Sequence, residues 1–72
     1  MTRKKYIKKM QHLVLAIIKD PDSTFPEGFR TGDRLKEIKR NSPKLAIQNF
    51  GSYDNAWNCD AIVWCRKHYL SK

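Results

Sequence analysis

The stretch Asn41-Ser42-Pro43-Lys44-Leu45-Ala46-Ile47-Gln48-Asn49-Phe50-Gly51-Ser52-Tyr53-Asp54-Asn55-Ala56-Trp57 carries the punctuation that decides how this chain folds. Ser42-Pro43 starts a helix: serine accepts from the unpaired N–H groups of a first turn, and proline fits the first helical position, where no N–H is needed. Gly51 stops that helix, because a glycine takes the left-handed conformation that ends it without a side-chain clash. Ser52 is then placed to cap the next helix. The spacing predicts a short helix over Pro43 to Phe50, with Ala46, Ile47 and Phe50 turned inward and Lys44, Gln48 and Asn49 turned outward.

Upstream, Thr31 to about Arg40 predicts a second short helix, with Thr31 as its N-cap, Asp33 in the first turn, Leu35 and Ile38 buried, and Asn41 ending it. Asp20 to Arg30 holds prolines, a glycine and polar residues and reads as a loop pinned to the core by Phe25 and Phe29. Before it, Thr2 to about Lys19 is an amphipathic helix, capped by Thr2 and stopped by Pro21. Its inward face is Tyr6, Ile7, Met10, Leu13, Val14, Ile17 and Ile18, and its outward face Lys4, Lys5, Lys8, Lys9, His12 and Lys19. Leu15 falls among the lysines, either exposed or covered by another segment. Downstream, one helix is expected from Tyr53 to about Leu70, with stripes of Tyr53, Trp57, Ala61, Trp64 and His68, and of Ala56, Cys59, Val63 and Leu70. Ala61 to Tyr69 is also rich in strand formers, so a terminal strand competes there. The expected fold is all-α: a single small domain of about four helices with a helix-turn-helix-like centre. The alternative is α+β with a C-terminal strand.

Composition narrows the function. The chain has 72 residues, and 15 Lys and Arg against 7 Asp and Glu give a net charge of +8. One small core fits in that length; most catalytic architectures do not. The longest apolar run, Leu13 to Ile18, is far short of the ~20 residues a membrane span needs, and no small-residue cleavage site follows it. Cys59 and Cys65, six apart on one expected helix, would point ~120° apart with ~9 Å of axial rise between them, which leaves them as reduced thiols of a cytoplasmic protein. Arg3, Lys4 and Lys5 sit where a helix dipole disfavours cations by ~0.3–1 kcal/mol each, so helix stability does not account for them.

The residues from Asn41 to Trp57 resemble the homing-endonuclease-associated repeat, a small helical DNA-binding module found beside HNH nucleases and in phage proteins. Ser42 matches the serine of the repeat's helix start, Ile47 its aliphatic residue, and Phe50-Gly51-Ser52-Tyr53 with Ala56 its closing motif. Tyr53 stands in place of the usual tryptophan, Asn41 in place of a proline, and Gln48 and Asn49 where arginines are common. The match covers about a quarter of the chain, and it implies a helix-turn-helix-like reader of duplex DNA in a phage or a mobile element.

On that expectation the third helix offers Lys44, Gln48 and Asn49 to base edges, since Gln and Asn pair with adenine and Lys reaches guanine or a phosphate. Arg34, Lys36, Lys39 and Arg40, with Arg66 and Lys67, are candidates to hold phosphates. Lys4, Lys5, Lys8 and Lys9 form a second positive surface. No metal and no cofactor is expected: Cys65 and His68 share a face but lack two further ligands at workable spacing. No phosphate-binding loop and no order of nucleophile and base suggests an enzyme. A second function class is a small phage-type inhibitor or adaptor that binds a protein through Leu15 and the second apolar face of the last helix. A weaker third is a first helix lying on an anionic membrane, which its apolar face is not free to do if that helix carries the core.

Overall fold

Five helices account for the computed structural model, which describes residues 1–71: α1 (Arg3–Ile18), α2 (Thr31–Arg40), α3 (Pro43–Phe50), α4 (Tyr53–Trp57) and α5 (Asp60–Tyr69). The fold is all-α. The competing C-terminal strand is replaced by α5, and an isolated bridge between Thr24 and Arg30 is the one β-type pairing among the described residues.

α1 is the central element, and every other helix packs on it. Its apolar spacing buries Tyr6, Met10, Leu13 and Ile17 in a row. Each such side chain contributes roughly 1.5–3 kcal/mol when fully removed from water. Thr2 caps the helix as expected, its Oγ1 accepting from the Lys5 N–H at 3.2 Å. Ile18, expected inward, is exposed, because it lies about 100° round the helix from Ile17, off the row that α1 buries. Leu15 lies wholly outside the core and is 63% exposed.

The Asp20–Arg30 loop is anchored by Phe25, which is buried against the Trp64 ring. Phe29, the other expected anchor, stays 52% exposed. Arg30, not Thr31, occupies the N-cap of α2, with no side-chain bond. Thr31 is fully buried instead, its hydroxyl donating to the Asp20 carbonyl at 2.9 Å and accepting from the Tyr69 hydroxyl at 2.8 Å. That network ties the end of α1, the start of α2 and the end of α5 to one point.

The corner around Gly51 forms as the sequence predicts. Gly51 has φ 81° and closes α3, and Ser52 caps α4 by accepting from the Asn55 N–H at 3.1 Å. Ser42 sits at the N-cap of α3 with Pro43 behind it, although its hydroxyl makes no cap bond. Tyr53 stacks on Tyr6 at 5.2 Å, and the Tyr6 hydroxyl donates to the Asn41 carbonyl at 2.7 Å. The turn between α2 and α3 is thereby fastened to α1.

The single last helix expected from Tyr53 to Leu70 is broken at Asn58 and Cys59 into α4 and α5. Asn58 ends α4 by turning its side-chain amide back to the Asp54 carbonyl at 2.9 Å, a local bond that competes with helix continuation. Arg66 holds the break closed, donating to the Trp57 carbonyl at 3.0 Å and to Asn58 Oδ1 at 3.1 Å. Asp60 then opens α5 with a carboxylate in its first turn, where the dipole favours it. The break resets the helical phase, so Ile62 and Cys65, which belong to neither expected stripe, are the residues α5 buries.

Candidate nucleic-acid interface

α2 and α3 are joined by two residues, Asn41 and Ser42. On α2, Lys36, Lys39 and Arg40 are exposed at positions that share a face. On α3, Lys44, Gln48 and Asn49 are exposed, while Ala46 is fully buried and Phe50 half-buried. Ile47 corrects the expectation for this helix: it is 44% exposed and adds an apolar contact to the outward side. Between Ile38 and Tyr53 the chain has no Asp or Glu. Among the described residues, none of these cations takes part in an ion pair. α3 is supported from behind by α4, its closest neighbour, whereas α2 packs chiefly on α1.

Two of the expected phosphate-binding residues are committed elsewhere. The Arg34 guanidinium lies 4.4 Å from the Phe25 ring centre and 4.9 Å from that of Phe29. It bonds Glu37 Oε2 at 2.6 Å and also Glu27, and its side chain is 12% exposed. The hydrogen bond it donates to Glu37, first among the causes, holds its proton more tightly than usual. Arg34 is therefore the cation that fastens the loop to α2. Arg66 is the clamp at the break between α4 and α5, with its guanidinium 4.8 Å from the Trp57 ring centre. Lys67 is exposed, but it stands on α5, which packs on α1 and α4 and not chiefly on α2 or α3. The expected set divides accordingly: Lys36, Lys39 and Arg40 on α2 and Lys44, Gln48 and Asn49 on α3 are exposed, whereas Arg34 and Arg66 are engaged within the fold and Lys67 stands on α5.

Sequence reasoning did not see the two grooves that flank the outward side of α1. The first, of about 510 Å³, runs between α1 and the α2–α3 corner, with an apolar lining that includes Ile7, Val14 and Pro43 and with Lys39 on its far wall. The second, of about 720 Å³, is lined by Lys5, Lys8, Lys9 and His12 of α1 with Trp57 and Leu70 opposite. Gln11 and Leu15 belong to both and form the ridge between them. The signal available in the sequence was charge: residues 1–19 include no Asp or Glu.

The remaining reactive groups serve the core. Cys65 is fully buried, and burial pushes its thiol up to about 11. Burial likewise raises the Tyr6 phenol above its ordinary value. His68 stacks on Trp64 at 4.7 Å, with its Nε2 3.1 Å from the Ser23 hydroxyl. Among the described residues no three His, Cys, Asp or Glu side chains converge on a position that would hold a metal ion. Among the described residues no helix is long and apolar enough to cross a membrane, and the apolar face of α1 is spent on the core.

No family model, curated protein or solved structure matches this chain.

Proposed function

We propose that this protein binds duplex DNA through the outward side of α2 and α3. The observation that carries the reading is the set Lys36, Lys39, Arg40, Lys44, Gln48 and Asn49: all exposed, none ion-paired among the described residues, and displayed on two helices joined by a two-residue turn. Lys36, Lys39 and Arg40 carry the charge that meets phosphates, which supplies most of the affinity and no sequence information. Lys44, Gln48 and Asn49 carry the hydrogen-bonding groups suited to base edges in a major groove. The exposed Ile47 adds an apolar surface of the kind that meets a thymine methyl. The resemblance of Ser42 to Ala56 to the homing-endonuclease-associated repeat supports the same reading, and with it a role as a regulator in a phage or mobile element.

The test separates base reading from phosphate binding. Lys44→Ala with Gln48→Ala flattens the preference among duplexes recovered by site selection, while leaving binding to random duplex largely intact. Lys39→Gln with Arg40→Gln weakens binding to all duplexes alike and lowers the salt slope by about 2, roughly 0.9 for each phosphate no longer neutralised. If all four changes leave DNA binding as it was, α3 is not the reading helix.

A second reading rests on Leu15. A large apolar side chain 63% exposed on a ridge between two grooves is a natural anchor for a protein partner, as in a small inhibitor or adaptor. Leu15→Glu would then abolish capture of that partner without lowering the thermal midpoint. An unchanged capture would remove this reading.

A further inference from the structure

We infer that the outward stripe of α1 is a second phosphate-binding surface for the same duplex, an inference that rests on the α2–α3 reading and extends it. Lys4, Lys5, Lys8 and His12 are exposed on this stripe, opposite the row that α1 buries. Neither the first 19 residues nor the lining of either groove includes an acid, and among the described residues these lysines form no ion pair. Their charge is left uncompensated by the protein. The first turn of α1 holds no acid, so Lys4 and Lys5 oppose the helix dipole as well. A helix selected for stability alone would not carry them.

Continuity joins the two surfaces. Lys39 stands across the first groove from the ridge of Gln11 and Leu15, and Lys5 and Lys8 line the second groove on the other side of that ridge. The longest extent of the molecule, 30 Å, matches about nine base pairs at ~3.4 Å of rise for each. One duplex is long enough to meet Lys39 and the α1 lysines together.

The aromatic residues select duplex over single strand. Single-stranded binders interleave cations with rings on which bases stack. Trp57, the ring beside these lysines, is 7% exposed, and Lys9 and Arg66 lie over it at 5.5 and 4.8 Å. Tyr6 in the first groove is 1% exposed. Among the described residues no exposed Trp, Tyr or Phe ring stands beside these cations, which suits a backbone whose bases are already paired.

The experiment is fluorescence-anisotropy binding of the full chain to a labelled 20-base-pair duplex and to its single strand, across a salt series. Lys5→Gln with Lys8→Gln is compared with Lys39→Gln/Arg40→Gln and with a control of equal charge change, Arg30→Gln/Lys67→Gln. The α1 variant is expected to lower the salt slope by about 1.8 and to weaken binding at 0.1 M salt by about tenfold or more, with the control nearly unchanged. Its thermal midpoint is expected to stay level or rise, so that weaker binding does not reflect unfolding. Unchanged binding by the α1 variant, with weaker binding by the Lys39 and Arg40 variant, overturns the inference and leaves the α2–α3 reading standing. Weaker binding by the α1 variant alone supports the α1 surface and overturns the α2–α3 reading. An equal weakening in the control, or tighter binding to the single strand, overturns the inference, and no binding by the wild-type chain at 50 mM salt overturns both.

Discussion

Replacing Arg34 separates a cation that builds the fold from the cations proposed to meet DNA. Its guanidinium is held between the rings of Phe25 and Phe29 at 4.4 and 4.9 Å and bonded to Glu27 and Glu37. With its side chain only 12% exposed, each ring interaction contributes about 1 kcal/mol. The two carboxylates are themselves more than half exposed, at 63% and 52%, so each ion pair adds only about 0.5 kcal/mol after solvent screening. Nε is buried without a partner, which offsets part of this gain. Arg34→Ala should therefore lower stability by about 2–3 kcal/mol, and for a domain of this size the thermal midpoint should fall by roughly 10–20 °C. Arg34→Met keeps the stem against the rings and should cost about half as much. The assay is thermal unfolding followed by circular dichroism, with duplex binding of both variants measured well below their midpoints. A midpoint within about 2 °C of wild type would refute the structural assignment of Arg34. So would a drop in affinity of the folded Arg34→Met variant equal to that from Lys39→Gln.

Alkaline conditions should destabilise the fold beyond ordinary lysine titration. The Cys65 thiol is raised from 9.0 to about 11, so its contribution is fully present below pH 9 and lost as pH climbs through 11, about 2–3 kcal/mol in all. Tyr6 acts in the same direction, since its raised phenol must stay protonated to donate to Asn41. Urea unfolding under reductant at pH 8, 9.5 and 11 should show a shallower decline for Cys65→Ala, and parallel profiles would contradict this. Gly51→Ala meets no atom within 4 Å but must adopt φ 81°, so it should cost about 1 kcal/mol, or roughly 4–8 °C in thermal midpoint, with Gly51→Asn costing less. In a thiol-labelling time course on the folded protein, half-buried Cys59 should react first and fully buried Cys65 only at the rate of global unfolding. Equal rates would mean that α5 opens locally.

Some parts of this fold are legible in the sequence because single residues decide them. Ser42-Pro43, Gly51 and Ser52 each restrict the backbone locally, and α3 and the corner after it appear where those residues put them. α1 is legible from period alone. The break between α4 and α5 is not, because neither Gly nor Pro marks it. Asn58 supplies it through a side-chain bond, and Arg66, eight residues on, holds it in place, which no local window detects. The same limit applies to the candidate interface. Exposure of Lys36, Lys39, Arg40, Lys44, Gln48 and Asn49 follows from helical phase, but the withdrawal of Arg34 depends on Phe25, Phe29 and Glu27 arriving from a loop. Thr31 is a capping type at a helix start, yet Tyr69 from the far end of the chain gives its hydroxyl a core partner instead.

Affinity of the wild-type chain for a random-sequence duplex across a salt series tests the central claim most directly. Phosphates neutralised by Lys36, Lys39 and Arg40 predict a logarithmic salt slope of at least about −2.7, steeper still with the α1 lysines engaged. Binding that is absent at 50 mM salt, or that does not change with salt, would contradict the account and direct attention to a protein partner at the Leu15 ridge.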